Sequence, residues 1–349
     1  MSRIDLRSVR RIAGILCGTA VVLVAGTALA AEDFYKGKQI TILVSGGGTY
    51  DAYARLMAKY MPKYIPGEPN FVVKNMSGAS GLRAANHIFN NSPKDGTEIA
   101  GTHGHIPTIP IFTSQGIQYD PAKLSWIGSA TREVYIGYAW NTSPVKSMDE
   151  ARVKESIFGG QAVGSMSIDI PILANAMMGT KIKIVTGYSG SAEARLAMER
   201  GEIHGVFGTA WTTLTSSQPE WLKEKKITVI AQFGKTRYKE MPDVPLLLDY
   251  VNDPEDRKAL EVFLSRQETG KPYFAPPGIP ADRLAILRRA FDASVKDPEL
   301  REEAAKAELD VIDPMTGEEI AAFVAEMSKT PPSYAKRIED IFAKFSEKK

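Results

Sequence analysis

Gln39-Ile40-Thr41-Ile42-Leu43-Val44, followed at once by Ser45-Gly46-Gly47-Gly48-Thr49-Tyr50-Asp51, is the stretch on which the fold turns. The first six residues are a short apolar run suited to a buried strand. Over residues 51–63 the period changes: Tyr53, Leu56 and Met57, then Tyr60 and Met61, fall on one helical face. A strand, a glycine loop and a helix in that order predict an α/β chain. The order then repeats. Residues 70–75 read as a second strand, 82–91 as a second helix and 98–102 as a third strand. This βαβαβ series predicts a parallel sheet with helices on both faces.

The alternation resumes further on. Residues 135–140 look like a strand, and Ser147 with Glu150 forms a capping box that opens a short helix. Strand and helix patterns then alternate through 156–163, 168–178, 181–185, 191–200, 204–207 and 227–233, and 271–275 is a last strand. Beyond it the chain reads as helical to the end, with a second capping box at Thr316 and Glu319 and an apolar stripe of Ile320, Phe323, Val324 and Met327 behind it. Two βα blocks and a helical tail exceed one small domain. The expected division is a first lobe at 31–137 and 266–349 and a second at 138–265.

Residues 1–30 stand apart. Arg3, Arg7, Arg10 and Arg11 precede an apolar run that ends in Ala28-Leu29-Ala30. A charged start, an apolar middle and an A-x-A site predict a secretory signal peptide cleaved after Ala30, and so a periplasmic destination. The rival reading is an uncleaved anchor, but the run is barely long enough to span, and Gly14, Gly18 and Gly26 weaken it. Arg10-Arg11 leaves the choice of export route open. Cleavage removes four of the 43 basic and one of the 41 acidic residues, leaving 39 against 40. That balance points to neither nucleic acid nor a membrane surface. Cleavage also removes Cys17, the only cysteine, and with it any disulfide or thiol-based site. Chemistry that draws on cytosolic ATP or NAD(P)H is excluded by the destination, and no cofactor is expected.

Most of the strands run into short loops rich in Gly, Ser or Thr. The first lobe has the 45–51 loop, Ser77-Gly78-Ala79-Ser80-Gly81 and Gly101-Thr102-His103-Gly104. The second has Gly164-Ser165-Met166-Ser167, Gly187-Tyr188-Ser189-Gly190-Ser191 and Gly208-Thr209-Ala210-Trp211. In an open parallel sheet such loops share the carboxyl edge, where the crevice lies. Loops that enter helices offer free N–H groups and the positive end of a dipole, which suits an anion, most simply a carboxylate. Ordinary βα turns also use Gly and Ser; it is the set, in an exported two-lobed chain, that favours binding.

Catalytic motifs fit less well. The glycines at 159 and 164 have P-loop spacing, but Ser165 and Met166 stand where Lys and Ser/Thr belong. Gly187-Tyr188-Ser189-Gly190-Ser191 lacks the last glycine of a nucleophile elbow. His103 and His105 have no nearby third ligand for a metal and read as loop residues beside the crevice. Asp51 and Arg55 have the spacing of a local helical ion pair. Tyr50, Tyr188 and Trp211 lie in crevice loops, with a stacking role and a core or rim role equally open.

Several segments together resemble a known family. They are Ile40–Val44 (40–44) with the glycine loop and Asp51-Ala52-Tyr53-Ala54-Arg55; Val72-Val73-Lys74-Asn75 with Gly78-Ala79-Ser80-Gly81, Ala84-Ala85-Asn86 and Pro93-Lys94-Asp95-Gly96-Thr97; and Gly187-Tyr188-Ser189-Gly190-Ser191 with Arg200-Gly201-Glu202-Ile203. Arg237, Pro242-Asp243-Val244-Pro245 and Phe274-Ala275-Pro276-Pro277-Gly278-Ile279-Pro280 complete the series. In order and spacing they are similar to the substrate-binding receptors of tripartite tricarboxylate transporters, the Bug proteins, over essentially the whole chain after residue 30. The resemblance implies a two-lobe periplasmic binding protein, type II-like. Each lobe would be a mostly parallel sheet flanked by helices, with a helical C-terminal tail. It implies a monomer that is no enzyme, holds a small organic acid in an interlobe cleft, and delivers it to membrane subunits of the transporter.

Residue by residue, the resemblance puts Gly47, Gly48, Thr49 and Asp51 of the first loop on the ligand, with Gly78, Ala79 and Ser80 of the second. Ser165, Ser167 and Thr209 reach it from the second lobe. Tyr50, His103 and Tyr188 join them by their place in crevice loops. The chain departs from the family's usual pattern at Val44-Ser45, where prolines are common, at Thr49-Tyr50 in place of Gly-Thr, and at Leu82-Arg83 in place of Asn-Ile. Two other functions stay open on these grounds. One is a sensor subunit that binds the same ligand and docks on a signalling receptor. The other is a secreted hydrolase, for which the sequence offers no recognisable nucleophile–base pair.

Overall fold

The computed structural model describes residues 34–44, 49–161, 165–188, 191–307, 309 and 311–347. Its first sheet has six strands: β1 (Gln39–Val44), β2 (Asn70–Asn75), β3 (Glu98–Gly101), β4 (Ser125–Ser129), β10 (Pro272–Ala275) and β11 (Met315–Thr316), in the spatial order β11-β4-β10-β3-β1-β2. The second has five: β5 (Tyr135–Trp140), β6 (Ser156–Gly160), β7 (Ile182–Thr186), β8 (Gly205–Ala210) and β9 (Ile227–Phe233), in the order β7-β6-β8-β5-β9. The helices that matter below are α1 (Thr49–Tyr60), α2 (Leu82–Asn91), α3 (Met166–Met178), α4 (Ser191–Glu199), α5 (Pro254–Leu264), α6 (Ala281–Ser294), α7 (Gly317–Met327) and α8 (Pro332–Ser346).

The strands follow from their side chains. Ile40, Ile42 and Val44 point to one face of the first sheet, where they pack with Tyr53 and Met57 of α1 and Leu287 and Phe291 of α6. Leu43 points to the other face, among Ala85 and Ile88 of α2 and Ile320 and Val324 of α7. A period of two on a sheet covered on both sides explains why the run is apolar without a break. In the second sheet Phe158, Phe207 and Phe233 stack across β6, β8 and β9, with ring centroids 4.9 and 6.0 Å apart, beneath α3 and α5. Ile136, Tyr138 and Val206 face Ala194, Ala197 and Met198 of α4 on the other side.

The expected two-lobe α/β architecture is present, with two adjustments. The sheets are mixed rather than mostly parallel. β1 pairs parallel with β2 and β3, but β10 inserts antiparallel between β3 and β4, and β5 runs antiparallel between β8 and β9. The inserted strands are those adjoining the crossings between the sheets, so the local βαβ rule does not govern them. The second adjustment is in the tail, which is not wholly helical: β11 closes the edge of the first sheet against β4. β4 itself, Ser-Trp-Ile-Gly-Ser, is too short and too poorly alternating to be legible in the sequence.

The chain crosses between the sheets at 130–134 and again at 265–271. Helix α8 then packs on the second sheet's helices, with Ile338 and Ile341 buried beside Phe263 and Leu173. Arg337 clamps Asp256 of α5 through two hydrogen bonds of 2.6 and 3.0 Å. In packing, then, residues 332–346 side with the second sheet, although they follow the segment that returns to the first.

The registers fix where the loops emerge. Val44 lies beside both Asn75 and Gly101, so the segments after β1, β2 and β3 leave one edge together. Gly160 lies beside Thr186, which does the same for the segments after β6 and β7. Among the described residues no helix is long and apolar enough to cross a membrane.

Candidate ligand-binding site

A cavity of about 160 Å³ sits where the two sheets meet. Tyr50, His103 and His105 form its wall on the first lobe, and Met166 faces them from the start of α3. The crossing segments supply Glu133, Tyr135, Arg266 and Gln267.

Tyr50 is placed by the first turn of α1, and its ring lies 4.0 Å from that of His103, tilted by 35°. His105 continues the aromatic wall, its ring 5.4 Å from that of His103. Burial, and secondly the charge of Lys271, lower the His103 pKa from the usual 6.5 to about 4. The imidazole is therefore neutral at neutral pH and offers the cavity a polar but uncharged face.

Behind this wall lies an ion pair. Lys271, 6% exposed, donates to Glu133, 15% exposed, and the Tyr135 hydroxyl donates to the other oxygen of that carboxylate. The Lys271 ammonium also stands 4.6 Å from the centre of the Tyr50 ring and 5.6 Å from that of Tyr53. Burial works against its charge, but Glu133 and Tyr50 outweigh it and the net shift of Lys271 is upward. The backbone N–H of Lys271 is held by the Ser129 hydroxyl at 3.0 Å, which ties the end of β4 to the start of β10. The pair thus joins the two crossing segments at the cavity.

Arg266 is the cation that lines the cavity itself. Its guanidinium stands 5.0 Å from the Phe263 ring centre and 5.8 Å from that of Phe112. Burial pulls its pKa down, against the more distant charge of Asp169. Gln267 beside it donates through Nε2 to the Phe233 carbonyl at 3.0 Å, which fixes the amide orientation.

A second cavity, also about 160 Å³, lies on the second lobe and is lined by Gly160, Ser167 and Thr209 among others. Ser165 stands at the N-cap position of α3, and its hydroxyl is 3.0 Å from that of Ser167, which accepts the Gln161 N–H at 3.2 Å. Gly208, at φ +73°, brings β8 so close that an added Cβ would stand 2.6 Å from Met166 Cβ and 2.8 Å from the Ser167 nitrogen. Only glycine permits that approach of β8 to the start of α3. Met166 and Ser167 are adjacent, so the N-terminus of α3 separates the two cavities.

The structure gathers some of the residues singled out in the sequence and disperses others. Tyr50 and His103 share the first cavity, and Ser167 and Thr209 the second. Gly47 and Gly48 lie outside the described residues. Thr49 is the exposed first residue of α1, and the Asp51 carboxylate is taken by Arg55 at 2.6 and 3.1 Å, as the local-pair reading has it. Gly78 and Ala79 are exposed and both adopt positive φ, +142° and +45°, in the loop that emerges beside Val44; Ser80 continues that turn. Tyr188 packs against the cluster around Ile203, and an added Cβ on Gly159 would meet its ring at 2.7 Å. The Trp211 indole donates to Glu240 at 2.8 Å. Arg83 is exposed and reaches the Ser77 carbonyl at 3.4 Å.

Sequence reasoning passed over Glu133, Tyr135, Arg266, Gln267 and Lys271. All lie in or next to the crossings, which carry no loop motif. The one available signal was a lysine opening an otherwise apolar strand, Lys271-Pro-Tyr-Phe-Ala. Among the described residues no group of three or more His, Cys, Asp or Glu is disposed to hold a metal ion.

Against protein-family models the sequence has no match, and a comparison with curated proteins also yields none. Solved structures do match. A TctC solute-binding protein from Polaromonas, solved without ligand, superposes with a TM-score of 0.66 at 19% identity, over 88% of this chain and 99% of that one. MatC from Rhodopseudomonas palustris, solved with malate bound, gives 0.55 at 21% identity over 87% and 98%. A second R. palustris protein, solved with adipate, gives 0.55 at 20% identity over 87% and 96%. The fold is therefore that of the two-lobe periplasmic solute-binding proteins, and its structural neighbours include the group that the sequence motifs resemble.

Proposed function

We propose that this protein is a periplasmic receptor, not an enzyme, which captures a small carboxylate between its lobes and hands it to the membrane subunits of a tripartite transporter. The observation that carries this reading is the first cavity. Its walls come from both lobes and from both crossings, so a ligand there touches every part that must move for the lobes to close. The start of α1 stands at one side of it and the start of α3 at another, two sources of N–H groups and positive dipole. The structures with malate and adipate hold small organic acids on the same fold. The A-x-A site at Ala28-Leu29-Ala30 supports export and cleavage after Ala30. We further propose that the first loop, with Gly47 and Gly48, and the Gly78–Ser80 turn (78–80) face the ligand from the first lobe.

The test is a thermal-shift screen of residues 31–349 against mono-, di- and tricarboxylic and aromatic acids. A ligand at a hundred times its Kd adds about 3 kcal/mol of stability and raises the Tm measurably. Binding is then measured by calorimetry in Gly48→Val, expected to abolish it, and in the control Lys329→Ala, expected to leave it unchanged. A screen in which no acid shifts the transition overturns the reading. Acids that bind Gly48→Val as they bind the parent remove the first loop from the site.

A further inference from the structure

We propose that His103 makes ligand capture proton-linked: as the carboxylate of a bound acid enters the cavity, the imidazole takes up a proton from solvent, so that binding tightens as the pH falls. The assignment rests on the receptor reading above and adds a titrating group to it.

The chain has four histidines, and their ring nitrogens differ in what they meet. His204 Nδ1 accepts the Ile157 N–H at 3.0 Å, so a proton there would cost that bond. His87 Nε2 lies 3.1 Å from the Glu98 carboxylate, a partner supplied by the protein itself. His103 has neither kind of neighbour. It is half-buried, lines the cavity, and touches the rings of Tyr50 and His105. Among the described residues neither of its nitrogens has a hydrogen-bond partner. A neutral imidazole carries one N–H and one bare nitrogen. Protonating the bare nitrogen of His103 therefore breaks no hydrogen bond within the described residues, and it gives the cavity a second N–H.

The groups around the ring decide when that happens. On α1, burial keeps the Tyr50 hydroxyl protonated. At the crossings it does the same for Tyr135, while Lys271 stays charged against Glu133. Arg266 is a guanidinium and charged throughout. His105 is the other imidazole of the wall, and Gln267 and Met166 carry no charge. Burial first, and then Lys271, hold the His103 pKa at about 4, with Glu133 pulling the other way. A bound acid supplies what the ring lacks. His103 lies against Tyr50 in the first turn of α1, on the side where the helix start draws a carboxylate. A carboxylate within hydrogen-bond reach favours the charged imidazole and raises its pKa by roughly 1–3. A rise of about 2 brings His103 to about 6, where it gains a proton while a simple carboxylic acid is still ionised. The new N–H then donates to the ligand oxygen in a charge-assisted bond. The proton comes from the buffer and returns to it when the acid leaves, and no bond of the ligand breaks.

The test is calorimetry of malate, adipate and benzoate binding, in MES and in Bis-Tris, whose different ionisation heats reveal the protons taken up per ligand. In the parent, uptake of roughly 0.7 proton is expected at about pH 5.5 and almost none at about pH 8, with binding roughly fourfold tighter at the lower pH. In His103→Gln the uptake is expected to vanish and the affinity to lose that rise. Parent uptake below about 0.1 proton at about pH 5.5 overturns the assignment. Uptake that survives in His103→Gln, or that vanishes in His105→Gln with His103 intact, places the proton on the ligand or on the neighbouring ring and overturns it as well. If His103→Gln does not fold by circular dichroism, the imidazole resonances of the parent decide. One of the four is expected to titrate at about 4 without the acid and at about 6 with it, and four resonances that the acid leaves in place refute the linkage. A protein that binds no acid of the screen brings down the receptor reading and this assignment together, whereas acids bound without a proton bring down only the latter.

Discussion

Lys271 and Glu133 make the most consequential side-chain pair, because Lys271 is buried, Glu133 is largely so, and each compensates the other. Lys271→Met leaves the largely buried Glu133 carboxylate with the Tyr135 hydroxyl as its one side-chain donor among the described residues. Breaking a buried pair in this way costs about 3–5 kcal/mol, whereas replacing both partners with apolar groups is often close to neutral. We expect urea denaturation to show that loss in Lys271→Met and to show most of it recovered in Lys271→Met/Glu133→Leu. A single variant within 1 kcal/mol of the parent would mean that water reaches the pair. His103 gives a pH signature. Its folded pKa, about 4, lies below the unfolded value of 6.5. The unfolded state thus binds more protons between these values, so the stability from the neutral ring is fully present above pH 6.5 and is lost as pH falls toward 4. The Tm of His103→Gln is expected to fall less steeply than that of the parent across that window. Parallel curves would place the ring in water.

Among the elements, the helix caps are the simplest to test. Thr316 and Glu319 complete both halves of a capping box, at 3.2 and 2.7 Å. Ser147 accepts the Glu150 N–H at 3.1 Å, but the Glu150 carboxylate turns to the Lys146 N–H and the Lys154 ammonium instead. Thr316→Ala should cost about 1 kcal/mol, read as a shift in the denaturation midpoint. Helix α8 poses a larger question, since it ends the chain yet covers the second sheet's helices with Ile338 and Ile341. Removing residues 331–349 uncovers α3 and α5. Hydrogen exchange should then quicken in 166–178 and 254–264 and stay unchanged in the first-sheet strands 39–44 and 98–101. Equal loss of protection in both sheets would show that α8 stabilises the molecule as a whole and not one lobe.

At the scale of the whole molecule, the two crossings at 130–134 and 265–271 are the natural axis of movement, since they pass between the sheets beside the cavity. A ligand bridging the lobes favours the closed arrangement by its difference in affinity for the two. The expected outcome is a smaller radius of gyration by small-angle scattering at saturation with an acid confirmed in the screen. Unchanged dimensions would point to a rigid, preformed cleft. The Lys271–Glu133 pair ties the same crossings together.

Much of this was legible in local sequence. The period of two at Ile40, Ile42 and Val44, the helical stripe at Tyr53, Leu56 and Met57, the turn glycines and the caps act between near neighbours, and near neighbours are what a sequence lists in order. Those patterns determined the α/β alternation, the strands 39–44, 70–75, 135–140 and 227–233 to the residue, and the shared edge from which the loops emerge. The insertion of β10 between β3 and β4, the seat of α8 on the second sheet's helices, and the meeting of Glu133 with Lys271 and of Arg266 with Phe112 were decided only by tertiary structure. These pairings join segments far apart in the chain, and their energy comes from desolvation and packing that exist only once both sheets are in place. A cavity at the crossings is lined by residues that belong to no local motif, so its chemistry could be read only after the chain had folded around it.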